Sequence, residues 1–127
     1  MLLLLLRAGR LEEAGALLDA RPVPIADDYF AASLDLAIGA EAALLLSRPG
    51  LAADVYPLLT QWPGRAAMAG TGAPLGPVDA FLALAAAAVG ERDLATRHAD
   101  DALRLCGAWR MGPVADWLVQ LRDSYRF

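Results

Sequence analysis

The sequence predicts an all-α chain of about seven helices, packed as antiparallel, tetratricopeptide-like hairpins. Two observations carry this expectation. Ala and Leu occur 28 and 24 times among 127 residues, aromatic residues make up only 7%, and Ile and Thr are scarce. That composition favours helices over pleated sheets. In addition, a turn residue followed by small residues at fixed offsets recurs three times. At 13.4 kDa the chain suits one domain. With 57% hydrophobic residues it has ample surface to bury.

The first helix covers Leu2 to Ala8 and closes at Gly9. The second runs from Leu11 to Ala20, with Glu12 and Glu13 in its first turn, where the helix dipole favours anions. Arg21-Pro22-Val23-Pro24 is a break, and Asp27 is placed to cap a long third helix over Asp28 to Leu46. Ser47-Arg48-Pro49-Gly50 turns into the fourth, Leu51 to Gln61. Trp62 to Gly76 reads as an irregular stretch rich in Gly and Pro. Pro77 opens the fifth helix, which extends to Val89. Gly90 ends it, the sixth covers Glu91 to Cys106, and Gly112-Pro113 precede the seventh. Short connections set successive helices antiparallel.

The helix faces support this division. Leu94, Ala95, His98, Ala99, Ala102, Leu103 and Cys106 share one half of the sixth helix. Val114, Trp117, Leu118, Leu121 and Tyr125 share one side of the seventh. The fifth, Phe81-Leu82-Ala83-Leu84 followed by four Ala, is apolar all round and must be sandwiched.

The recurring pattern sets Gly9 before Ala14 and Leu18, Ser47 before Ala52, Tyr56 and Leu59, and Gly90 before Ala95, Ala99 and Ala102. Small residues at these offsets let a second helix cross the first closely, as in tetratricopeptide hairpins. The order Tyr56, Leu58-Leu59, Pro63-Gly64-Arg65, Gly70-Thr71-Gly72 and Gly76-Pro77-Val78 is more particular. Over roughly residues 28–110 the chain resembles the C-terminal tetratricopeptide-like region of large bacterial multidomain transcriptional regulators. These are the LuxR-type, transcriptional-activator and cyclase-associated proteins with a central ATPase module. The chain departs from that pattern at Ala66, at Pro74-Leu75 and at Gly107-Ala108-Trp109-Arg110. The resemblance implies an interaction, scaffold or effector-sensing segment that contacts a partner protein or neighbouring domains. It carries over neither ATPase nor DNA-binding activity, because no phosphate loop or DNA-reading motif is present.

Charge and targeting narrow the function further. All eleven basic residues are Arg, and the net charge is −4, which disfavours a nucleic-acid surface. Leu2 to Leu6 is too short for a membrane span or a secretory signal, so a cytoplasmic chain without membrane contact is expected. Both ends read as repeat units without caps, which suggests part of a larger array. Paired between two copies, Leu2–Leu6 and Val114–Tyr125 would make a homodimer.

Single residues suggest little chemistry. Glu41 falls on the apolar face of the third helix, beside Phe30, Leu34 and Ala37 in projection. A buried carboxylate needs a partner, and Arg65 is the expected one; a ligand-binding or acid/base role is the sharper alternative. His98 is expected as a partly buried, hydrogen-bonded residue at a helix contact. Cys106, the only cysteine, reads as inert packing. One His and one Cys cannot form a zinc site of those ligands, and no cofactor or catalytic constellation is implied. The glycines of the long stretch supply positive φ. With Trp62, Arg65 and Met68, that stretch is the expected contact surface. Trp109 and Trp117 pack on the preceding repeat or lie at an interface. The alternative to an interaction module is a small helical protein that encloses an apolar ligand, with Glu41 or His98 as acid or base.

Overall fold

A computed structural model describes residues 1–69 and 73–127, with the backbone alone at positions 30, 31, 69 and 73. Among the described residues there are seven helices, α1 (Leu2–Arg7), α2 (Leu11–Ala20), α3 (Tyr29–Leu45), α4 (Pro49–Leu59), α5 (Val78–Ala88), α6 (Arg92–Ala108) and α7 (Gly112–Tyr125). One small antiparallel hairpin, β1 (Ala66–Ala69) and β2 (Ala73–Pro77), joins α4 to α5. The chain is all-α in class, as the composition predicts.

One local device makes four of the turns between helices, α1–α2, α3–α4, α5–α6 and α6–α7. Gly9, Ser47, Gly90 and Arg110 all adopt left-handed backbone, with φ of 76°, 54°, 85° and 56°. The residue after each donates its N–H back over the helix end: Arg10 to Leu5 O (3.0 Å), Arg48 to Ala43 O (2.8 Å), Glu91 to Ala86 O (3.0 Å) and Met111 to Cys106 O (2.8 Å). This six-to-one bond closes the helix and satisfies a carbonyl that the helix itself leaves open. The same residue then stands as N-cap of the next helix. Three of these turns are the three repeat positions in the sequence. The fourth, at Arg110, uses a residue that tolerates left-handed backbone poorly.

Small residues follow each turn where the helices cross. Ala14, Ala52, Ala95, Ala99 and Ala102 are all fully buried. Every residue of α5 from Val78 to Ala86 is buried, because α3, α4 and α6 surround it. The main core runs through α3, α4, α5 and α6 and ends on Leu118 and Phe127. The first hairpin keeps a smaller core of Leu5, Leu6, Ala14 and Leu18, joined to α3 at Ala42.

The hairpin corrects the irregular stretch read from the sequence. Its strands hold little β-forming sequence; α3 fixes β1 from one side. The Tyr29 hydroxyl donates to Ala66 O (2.6 Å), and Met68 N–H donates to the Ser33 hydroxyl (3.3 Å). On the other strand, Pro74 and Pro77 have no N–H to offer, which blunts that edge. Gly76 lies against α7. A Cβ there would sit 3.0 Å from Val114 Cγ1, and its φ of 151° is one that side chains rarely adopt. Pro77 is the N-cap of α5, one position before the first-turn place the sequence gives it. Asp27, expected as the cap of α3, accepts a hydrogen bond from the Gln61 amide (2.6 Å). Gly70 and Gly72, and the side chain of Phe30, lie outside the described residues.

Candidate functional site

Glu41 is 1% exposed on α3. Its partner is Arg7 of α1, in place of the Arg65 expected from the sequence. Arg7 Nε donates to Oε1 at 2.9 Å and Nη2 to Oε2 at 3.1 Å. The Arg7 guanidinium also stacks 4.4 Å from the centre of the Trp117 ring on α7. Trp117 in turn packs on Phe81 of α5, ring centres 5.7 Å apart. Helices α1, α3, α5 and α7 therefore meet through four side chains. Burial pushes the Glu41 carboxyl above its ordinary range, and Arg7, with a smaller part from Trp117, pulls it back. The fork of two hydrogen bonds satisfies both carboxylate oxygens, so the cluster is built as a structural join.

Arg65 fails to reach Glu41 because the hairpin carries it to the start of α3. There its guanidinium lies 5.2 Å from the centre of the Tyr29 ring, and its carbonyl accepts from Val78 N–H at 2.7 Å. Trp62, expected on a contact surface, is 9% exposed and packs on Tyr29, ring centres 5.5 Å apart. Met68 is half-buried, its backbone held by Ser33. The long connection thus turns one of its three expected contact residues, Trp62, into the core and leaves Arg65 exposed.

His98 is half-buried on α6, and its Nε2 lies 2.8 Å from the Tyr56 hydroxyl on α4. Burial pushes the imidazole pKa below its ordinary value, while Asp79 and Asp101 oppose that shift. Burial likewise raises Tyr56, against the nearby charge of Arg97. Cys106 is 1% exposed, and burial raises its thiol, which suppresses the reactive thiolate. Trp109 stays 37% exposed at the α6–α7 turn, so it does not bury itself on the preceding hairpin. Sequence reasoning missed Asp79. This buried carboxylate in the first turn of α5 accepts the Gly64 N–H at 2.8 Å and pins the turn before the hairpin. Its only sequence signal is an acidic residue at a helix start, which reads equally well as a dipole effect.

A concavity lies elsewhere, where the first two hairpins meet. It is a solvent-open cleft of about 460 Å³ between α2, the 21–28 connection and α4. Leu18, Val23, Ile25 and Leu51 supply apolar walls, and Asp19, Arg48 and Asp54 supply charge. Ile25 is 46% exposed there. Two glycines lie near residues of the cleft. A Cβ on Gly15 would lie 3.8 Å from the Arg48 guanidinium, and one on Gly39 would lie 3.1 Å from Val55 and 3.5 Å from Val23. A Cβ at Gly15 would make an ordinary contact, whereas one at Gly39 would press on Val55, so the bare backbone there lets α4 pack close on α3. Arg48 pairs with Asp19 through two hydrogen bonds of 2.8 and 3.3 Å, which holds the Asp19 carboxyl below its usual range.

The described residues hold no group of three or more side chains suited to a metal ion. No described helix is long and apolar enough to cross a membrane. The fold and cleft define a class, an all-α stack of helical hairpins with an open groove. Comparison with protein-family models, curated proteins and solved structures finds no match to this chain.

Proposed function

We propose that the chain is a protein-interaction module, a scaffold of tetratricopeptide-like hairpins that belongs to a bacterial transcriptional regulator. The observation that carries the interaction reading is the cleft between α2 and α4. Its walls come from two successive hairpins, so it exists only in the assembled stack, and it combines an apolar interior with a charged rim. That is the usual make-up of a contact patch. The link to a regulator rests on the motif order from Tyr56 to Val78 in the sequence.

Site-specific crosslinking tests the interaction reading. A photoreactive benzophenone side chain replaces Ile25 in the cleft or Val119, an exposed apolar residue of α7. Illumination in the source cell should give a discrete protein adduct from position 25 and little from position 119. Equal labelling at both positions, or none at 25, contradicts the proposal.

One observation favours a second reading, a small apolar ligand. A pocket of about 190 Å³, almost wholly apolar, lies between α4 and α6, lined by Ala53, Tyr56, Pro57, Ala86, Val89 and Leu94, with Glu91 at its rim. The Tyr56–His98 pair adjoins it. A bound mass in native mass spectrometry that disappears with Ala86→Phe would support this reading.

A further inference from the structure

The cleft between α2 and α4 has a charge balance that specifies its occupant. Three ionisable side chains line it, Asp19, Arg48 and Asp54. Of these three, Arg48 is the cation, and both of its Nη atoms donate to Asp19. Asp54, exposed on α4, has no ion pair or hydrogen bond among the described residues. The rim thus keeps one uncompensated negative charge beside apolar walls, on a chain whose net charge is already −4. An acidic segment would be repelled, and a neutral one would leave Asp54 without a partner as it covers the rim.

The shape adds a second constraint. The cleft is open to solvent, whereas a small-molecule site encloses most of its ligand. An open, amphipathic trough suits a side chain that protrudes from a larger surface. Leu51 is half-buried and stands one helical turn before Asp54 on α4, so apolar contact and charge lie side by side.

We infer that the cleft receives a basic, apolar-anchored segment of a partner protein: an apolar side chain enters beside Leu51 and Ile25, and an Arg or Lys close to it in sequence meets Asp54. This rests on the interaction-module reading and adds the chemistry of the partner.

The test uses the full chain with the benzophenone side chain at position 25, in its source cell, with Asp54 kept, neutralised (Asp54→Asn) or reversed (Asp54→Arg). Asp54 is exposed, so these changes should leave helix content and melting temperature unchanged. Adduct yield should fall about twofold with Asp54→Asn and roughly fivefold or more with Asp54→Arg. Peptide sequencing of the adduct should place Arg or Lys within a few residues of the crosslinked apolar position. A yield that ignores Asp54, or a crosslinked segment that is acidic or uncharged, overturns this inference and leaves the interaction module standing. No adduct from position 25 in any of the three backgrounds overturns both.

Discussion

Arg7 reaches from α1 to clasp both oxygens of Glu41 on α3, at 2.9 and 3.1 Å, with Trp117 of α7 stacked 4.4 Å over the guanidinium. The carboxylate is 1% exposed and the arginine side chain 34%. One ion pair therefore joins the beginning, middle and end of the chain. It lies where α1, α3, α5 and α7 meet, and the open cleft lies elsewhere, between α2 and α4.

Arg7→Leu should cost about 2–3 kcal/mol near neutral pH, a little under the ~3–5 kcal/mol of a wholly enclosed pair, because water reaches Arg7. The loss should shrink toward acid. The folded-state pKa of Glu41 lies above the unfolded value, so the folded chain keeps this proton over a range where the unfolded chain has released it. The contribution is full below the unfolded pKa and falls as pH rises through the folded one. Without Arg7 the folded pKa rises further. Urea unfolding of both proteins at about pH 4 and pH 7 should show the larger gap at the higher pH; an equal gap would contradict a buried, partly compensated carboxylate.

His98 is the only histidine, so its ring signals are unambiguous. Burial depresses its folded-state pKa below 6.5. The stability it contributes is complete above the unfolded value and is lost as pH falls through the folded one. An NMR titration should place the midpoint below 6.5, and a midpoint at or above that value would sink the half-buried placement against Tyr56.

Arg110 holds left-handed backbone at the α6–α7 turn with φ of 56° and is exposed. Arg110→Gly should stabilise the chain by about 1 kcal/mol by removing Cβ strain from a turn that Gly9 and Gly90 make without it. A lower midpoint in chemical denaturation would count against the shared turn geometry.

Gly76→Ala should destabilise by about 1–3 kcal/mol, from the contact with Val114 and from the backbone conformation together. Adding Val114→Ala relieves only the first. Recovery in the double variant should therefore be partial, and full recovery would mean that the backbone at 76 carries no strain.

The helices were legible in the sequence because their signals are local. Gly9 and Gly90 mark left-handed turns, and Ala at the crossing points survives as a small-residue pattern; Pro49 and Gly50, read as part of a turn, are the first residues of α4. The hairpin was not legible, since its strands take their order from Tyr29 and Ser33, hydrogen-bonded across 37 and 35 positions. The need of Glu41 for a partner was visible, but the partner's identity was not. Arg65 is the cation at the base of the long irregular stretch, while Arg7 becomes adjacent only when α1 packs on α3. The cleft left no motif, because its lining comes from α2, the 21–28 connection and the start of α4, segments that meet only in the folded chain.

The most direct test of the helix join is a double-mutant cycle in chemical denaturation, with Arg7→Leu, Glu41→Leu and the pair together. Each single variant should lose stability, because each strips a partner from a buried or half-buried charge. The double variant should recover much of the loss, giving a coupling of about 1–3 kcal/mol. Losses that simply add, within about 0.5 kcal/mol, would mean that Arg7 and Glu41 do not hold α1 to α3.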